Sequence, residues 1–399
     1  MSSKTCIESI RDIQTILKNK LDIEKITKID ITRLTAPGEN YGSLILKLDL
    51  YLSSVNSVDE EIVKLVAKKI PVEQILRENF NIQITFKNEV GLYETVLPIL
   101  QNFQRSHGIQ NVINNVPKFF GARLNLDGNE EVTEDAVIIL ENLTAKGFSN
   151  VERTTGFNLE STKLILEDLA EFHAVPLALK LKQPKLFERL KKFCNTFEFK
   201  SEFHKIFWET TRAVIKEKPT CALLDNKIKL LGQIERPEVM EPFGTLVHDD
   251  LWSNNTMQKF APNQIAVENK FLDFQFLDYG SPASDFLFFV FTSVQLGVLE
   301  NNLDILISTY HNRFLKHLEV FGCDIGVFTV EKFIEEIKRE SAFQIGHIIN
   351  FVLFIIKTKQ ENVEVKILDH INIKPSLITQ KAKEHIWFVI EEWNRRGWL

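Results

Sequence analysis

"VHDDLWSNN", residues 247–255, gathers His248, Asp249, Asp250, Asn254 and Asn255 around one tryptophan. A polar surface loop would explain such a run without any chemistry. Phosphoryl transfer explains it more narrowly. That reaction needs a carboxylate to accept the proton of the attacking hydroxyl and oxygen ligands to hold magnesium against the phosphates. In the pattern His248-x-Asp250-x-x-x-x-Asn255, Asp250 suits the first role. Asn255, at the far end of a tight loop, can return a carbonyl oxygen to the same site. His248 suits holding the loop through hydrogen bonds. Alone the pattern is weak, so the chain on either side must supply the remaining parts.

Downstream comes KFLDFQF, residues 270–276. Read as a strand, alternate residues share a face. Leu272, Phe274 and Phe276 then point one way, and Asp273 and Gln275 the other. NTMQ and IAVENKF, separated by the turn FAPNQ, predict a hairpin that returns Asp273 to Asn255 as a second magnesium ligand. A half-exposed strand with a polar face is the plain alternative.

Upstream, ITRLT, APGENYG and SLILKLDLYLSS read as strand, glycine-containing turn and strand. EIVKLVAKKI, 61–70, is a third strand closed by Pro71. Helical spacing covers 84–104, with Phe86, Val90, Tyr93, Leu97 and Leu100 three or four apart. KFFGARLNL and AVIILEN flank the polar turn DGNEEVTED as a further hairpin. A cation that grips nucleotide phosphates must itself be fixed, and a strand lysine paired with a helix glutamate achieves this. Glu89 lies in the helix. Parity leaves Lys68 and Lys69 equivalent, because Val66 and Ala67 are both acceptable neighbours. Glycines in PGENYGS, 37–43, would let backbone N–H groups approach phosphate oxygens. ILENL, 139–143, can offer backbone groups from Glu141 to Leu143 to an adenine edge.

The rest of the chain reads as helices: 6–20 before the first strand, then STKLILEDLAEFHA, the Phe199, Phe203, Phe207 repeat, 283–298, 299–320, 329–357 and 377–395. The expected fold class is α+β. A small antiparallel sheet with one helix inserted after its third strand precedes a larger helical part. The length of 399 residues allows two lobes sharing one cleft. A net charge of −6 argues against a nucleic-acid binder, which would show a concentrated basic face. The four cysteines include no C-x-x-C pair, which fits a reducing compartment. The charged N-terminus MSSKTCIESIRDIQ argues against a signal peptide. FLFFVFTSVQLGVL and IINFVLFII fall short of the roughly 18 residues of a spanning helix, so membrane insertion is not expected. The expected location is the cytoplasm.

The order of these parts resembles the protein-kinase-like fold and, more closely, the ecdysteroid kinase-like (CHK kinase-like) family, a relative of choline kinases and aminoglycoside phosphotransferases. The segments that carry the resemblance are GENYGS, VAKKIP, FKNEVGLYETVLP, ILENLTAKGF, LAEFHA, HDDLWSNNTM, LDFQF and YGSPASDFLFF. The resemblance implies a bilobal enzyme, with an N-lobe over 1–141 and a helical C-lobe over 142–399. It implies ATP and magnesium as cofactors, Asp250 as catalytic base, and Asn255 and Asp273 as metal ligands. It also implies nucleotide contacts from Gly38, Asn40, Tyr41, Gly42, Ser43, Lys68, Glu89, Glu141 and Leu143. The family's K-x-x-P pattern selects Lys68, ahead of Pro71. Asp285 resembles the aspartate that braces the catalytic loop, and His173 in LAEFHA reads as a histidine satisfied between helices. Trp252 reads as packing. Relatives usually carry glycine where this chain has Asp249, and a second carboxylate there can raise the pKa of Asp250.

After DFQ the chain runs through DYGSPAS straight into a helix, leaving no room for a peptide-docking segment. Residues 175–246 form an insert rich in Phe and charge that can wall off a small-molecule pocket, and the 31 Phe against 5 Tyr would suit an apolar alcohol. The expected activity is phosphorylation of a hydroxyl on a lipophilic, ecdysteroid-like alcohol. Choline, ethanolamine or a xenobiotic alcohol is the alternative acceptor, and a catalytically inactive binding protein is the alternative class.

Overall fold

The computed structural model describes residues 9–34, 42–53, 61–195, 202–357 and 378–399. Its first part is a five-stranded antiparallel sheet built from β1 (Ile26–Arg33), β2 (Leu44–Leu52), β3 (Glu61–Lys69), β4 (Phe119–Arg123) and β5 (Val137–Glu141), in the order β1-β2-β3-β5-β4. Period-2 alternation explains its outer face. Leu44, Leu46, Leu48 and Leu50 are buried, together with Leu65, Ala67, Val137 and Ile139. A short helix, α1 (Ile13–Leu17), covers that face with Ile13, Ile16 and Leu17. Each buried leucine contributes roughly 2 kcal/mol. Among the described residues, the helix expected over 6–20 is confined to Ile13–Leu17. Asp12 is left-handed at φ 47°, a conformation Asp tolerates better than most residues, and it ends the helix on the N-terminal side.

Between β3 and β4 the chain forms α2 (Gln74–Asn79), α3 (Ile82–Gly91) and α4 (Leu97–Ser106). A π-turn over Leu92–Val96 joins α3 to α4, so the helical spacing read over 84–104 is one path with a widened turn in its middle. Pro98 sits just after that turn, where the loosened ladder tolerates its missing N–H. The helix pair belongs as much to the second part of the molecule as to the first. Phe103 stacks on Phe321 at 4.9 Å, and Gln104 donates to Glu171 at 3.2 Å. One apolar core runs from Phe86, Val90 and Leu100 into the helices beyond.

That second part starts with β6 (Phe148–Ser149) and α5 (Leu159–Lys182), then α6 (Pro184–Leu190), α7 (Glu202–Glu217), α8 (Pro219–Ala222) and α9 (Asp225–Leu231). β7 (Thr245–Val247) pairs with β10 (Asp278–Gly280), while β8 (Thr256–Phe260) and β9 (Ala266–Phe271) form the expected hairpin beside β6. The chain closes with α10 (Pro282–Ser293), α11 (Leu296–Val320), α12 (Val330–Lys357) and α13 (Gln380–Arg396). The break between α10 and α11 falls at Val294–Gln295, not at 298. There the backbone leaves the helix to bond Phe157, whose N–H donates to Ser293 O and whose carbonyl accepts Gln295 N–H. The Phe repeat falls in α7, with Phe199 outside the described residues. Antiparallel sheet, inserted helix and helical second lobe together make the bilobal, protein-kinase-like α+β fold. Among the described residues, no helix is long and apolar enough to cross a membrane.

Candidate active site

Lys68 and Lys69 part company because both faces of β3 are covered. Lys69 shares the face of Leu65 and Ala67, under the N-terminal segment, and its Nζ donates to Ser9 O at 3.0 Å. Lys68 takes the opposite face, toward α3. Its Nζ lies 2.5 Å from Glu89 Oε2 and 2.5 Å from Asp273 Oδ1. Burial alone would lower the pKa of Lys68, but the Asp273 and Glu89 carboxylates outweigh it and hold the ammonium above its ordinary value. Burial pushes Glu89 up to about 7 against the pull of Lys68. A desolvated cation between two carboxylates is strongly held and stays charged.

The loop after β7 is fixed from below by Asp285, in the first turn of α10. Asp285 Oδ2 accepts the backbone N–H of His248 at 2.6 Å and Oδ1 that of Asp249 at 2.8 Å. The same carboxylate meets His173 Nε2 at 3.0 Å, and His173 Nδ1 lies 2.7 Å from Tyr310 Oη. Burial would raise Asp285, but His173 and the loop N–H groups outweigh it and keep it low. His248 is buried and depressed in pKa, and its Nε2 donates to Leu272 O at 2.8 Å. It therefore ties the loop to the segment bearing Asp273. Trp252 is buried edge-on against Phe351 at 5.0 Å.

Asp250 follows. Asn255 Nδ2 donates to its backbone oxygen at 2.8 Å and to Oδ2 at 3.0 Å, closing the loop on itself. Burial and the nearby Asp273 charge push the Asp250 carboxyl well above its ordinary range.

Asp273 corrects the sequence reading. The strand does not continue through KFLDFQF: β9 ends at Phe271, Asp273 is left-handed at φ 62°, and Phe274–Phe276 form a 3-10 turn. Leu272, Phe274 and Phe276 therefore do not share a strand face. Phe271 N–H donates to Asn115 O and Leu272 N–H to Asn255 O, and the left-handed residue then swings its carboxylate to Lys68. Phe274 anchors the turn, fully buried and 4.6 Å from the His248 ring. The Leu272–Asn255 bond also sets Asn255 beside the Asp273 segment. Amide and carboxylate oxygens are the hard donors magnesium takes, and that ion keeps several waters and phosphate oxygens. Two protein ligands are therefore an adequate share. Among the described residues, no group of three or more His, Cys, Asp or Glu side chains could hold a metal by itself.

Of the expected glycine turn, Gly38, Asn40 and Tyr41 lie outside the described residues. Gly42 and Ser43 lead into β2, and a Cβ on Gly42 would stand 3.1 Å from the Gln275 side-chain amide. Gly42 thus packs against the segment that carries Asp273. At the junction, backbone groups of both Glu141 and Leu143 are already engaged. Glu141 N–H donates to Lys118 O, and Leu143 O accepts from Lys146 and Phe148.

Sequence reasoning missed Arg236. It lies in the irregular stretch before β7, and nothing in its local sequence marks it. Its guanidinium grips Asp249 through both nitrogens at 2.8 and 2.9 Å and Asp278 at 3.0 Å. Asp249 has φ 61°, in the left-handed region that glycine enters at no steric cost.

The ecdysteroid kinase-like family model matches residues 37–323. Among solved structures, similarity is found to Plasmodium vivax ethanolamine kinase (13% identity, TM-score 0.43, covering 96% of this chain and 87% of that one). A choline kinase from Cryptosporidium parvum gives 11% and 0.41, covering 98% and 93%. A microcompartment-associated aminopropanol kinase gives 12% and 0.44, covering 93% and 94%. Scores of this size carry no inference about substrate. Comparison with curated proteins gives no match.

Proposed function

Because this chain belongs to the ecdysteroid kinase-like family, we propose that it is a magnesium- and ATP-dependent kinase acting on a hydroxyl of a lipophilic, ecdysteroid-like alcohol. One observation carries the reading: Lys68, from the sheet lobe, bridges Glu89 and Asp273 at 2.5 Å each, beside the loop that holds Asp250 and Asn255. The acceptor class rests on the family alone.

Residues 1–141 engage the nucleotide, through Lys68, Glu89 and the turn at Gly42 and Ser43. Residues 142–399 supply the catalytic loop, the metal ligands and the acceptor pocket. Asn255 and Asp273 would hold magnesium, which neutralises phosphate charge when bound. Asp250 orients the acceptor hydroxyl and takes its proton as the oxygen bonds to the γ-phosphorus and the bond to the β–γ bridging oxygen breaks, leaving ADP. A carboxylate already pushed upward in pKa is a better proton acceptor than an ordinary one. Lys68 stays cationic throughout, so it orients phosphate without exchanging protons.

The test is a screen of steroid, amino-alcohol and xenobiotic acceptors with ATP and magnesium, read by mass spectrometry for one added phosphate. A phosphorylated steroid is the expected product. Phosphorylated choline, ethanolamine or a foreign alcohol instead would replace the acceptor class. No product on any acceptor, with no thermal shift from ATP and magnesium, would establish an inactive binding protein.

A further inference from the structure

The segment FKNEVGLYETVLP holds two residues that the site described above leaves without a task, Asn88 and Gly91. Asn88 is fully buried, adjacent to Glu89 in α3, and its side-chain amide bonds to residues of the helical lobe. Its Nδ2 donates to Asn195 O at 3.1 Å and to Gln275 O at 3.4 Å, and its Oδ1 accepts from Asn195 Nδ2 at 3.0 Å. The two backbone acceptors fix which way the amide points. Asn88 thus links the helix bearing Glu89 both to residues 191–195 and to the turn bearing Asp273. These are the two carboxylates that hold Lys68.

Residues 191–195 are rooted in the helical lobe. They continue from α6, whose Phe187 and Leu190 are buried. Lys191 Nζ stands 4.4 Å from the Tyr279 ring centroid in β10, and Phe187 packs on the same ring at 5.8 Å. Phe193 then packs directly against Gly91. A Cβ there would stand 2.1 Å from Cδ1 and 2.7 Å from Cγ of Phe193, so the ring as a whole would have to leave. Gly91 is ordinary helix, not a left-handed position, so close approach is its reason for being glycine. An apolar residue at 88 would pack as densely without fixing register. A buried amide with directed partners specifies one arrangement.

We propose that residues 191–195 form a strap of the helical lobe that positions α3, and hence Glu89 and Lys68, for the nucleotide phosphates. Asn88 and Asn195 are its positioning residues. This rests on the kinase reading. When the strap is docked, Glu89 is set at the height of Lys68. When it is undocked, α3 keeps its apolar packing but loses the directional contacts next to Glu89.

The experiment uses the full chain and measures binding of ATP with magnesium by calorimetry, melting temperature, and hydrogen exchange of the amides of Ile82–Gly91. Asn195 is exposed, so Asn195→Ala should still fold, with a melting temperature lowered only by the few degrees that one unpaired acceptor on Asn88 costs. It should bind nucleotide about three- to tenfold more weakly, the worth of one directed hydrogen bond, and exchange faster in α3. Gly91→Ala improves helix propensity, so weaker binding there reports the lost strap. Adding Phe193→Ala removes the clash, and the double variant should bind no worse than Phe193→Ala alone. If wild type binds nucleotide and Asn195→Ala and Gly91→Ala bind equally well, the strap is wrong and the kinase reading stands. The same holds if the Gly91 and Phe193 changes simply add. If wild type binds no nucleotide, the kinase reading falls and the positioning role with it.

Discussion

Lys68 Nζ lies 2.5 Å from Asp273 Oδ1 across 205 residues of sequence, joining the third strand of the sheet lobe to a left-handed turn of the helical lobe. The contact needs three conditions at once. β3 must present Lys68 on its inner face, β9 must stop at Phe271, and Asp273 must adopt positive φ. Loss of any one separates the charges.

Lys68→Met should remove the ammonium that Glu89 and Asp273 share. Removing a single preorganised electrostatic group in a desolvated site costs about 10²–10³ in turnover, and nucleotide affinity should fall with it. Steady-state kinetics and calorimetry check this. Turnover within a factor of two of wild type would show that the phosphates are held elsewhere.

Asp250→Asn keeps the shape of the loop and its neighbour Asn255 but cannot take a proton. Turnover should drop by about 10²–10⁴, the usual worth of a general base, while ATP still binds. Retained turnover would reassign the base.

Asp249 adds a negative neighbour to Asp250, whose carboxyl is already raised, chiefly by burial and by Asp273. Asp249→Gly removes that charge and leaves the Arg236 cation behind. Both changes favour the ionised base. The acid limb of the pH dependence of kcat/KM should therefore move down, by less than about one unit. Superimposable profiles would remove any tuning role for Asp249.

His385 is depressed to about 4 by burial, from an ordinary 6.5, although its Nε2 donates to Phe291 O at 2.8 Å. Between those two values the unfolded chain binds the extra proton. Folding stability should fall as pH drops through that window, at up to about 1.4 kcal/mol per pH unit for one proton. His385→Gln should flatten the slope of chemical denaturation midpoint against pH. An unchanged slope would assign acid sensitivity to other groups.

The motif residues were legible in the sequence because their spacing is set by local geometry. A loop of His-x-Asp and a following Asn closes on itself, as the Asn255–Asp250 bonds do. The hairpin after it was legible from its turn residues. The Leu44 to Leu50 alternation made β2 legible as a strand. KFLDFQF misled because its alternation is real but short. Hydrogen bonds from Phe271 to Asn115 and from Leu272 to Asn255 end the strand, and both partners are remote from the turn they stop.

The amino-acid order by itself determined the element sequence and the residue types that reach the cleft, since periodicity, turn chemistry and loop closure act over a few residues. Local periodicity could not say which of two adjacent lysines faces that cleft, because both faces of β3 are buried and parity is silent; the tertiary structure turns Lys68 toward Glu89 and Lys69 toward Ser9. It alone brought Arg236 to Asp249 and Asn195 to Asn88, since a charge pair or an amide pair formed across folded elements leaves no periodic trace in the chain.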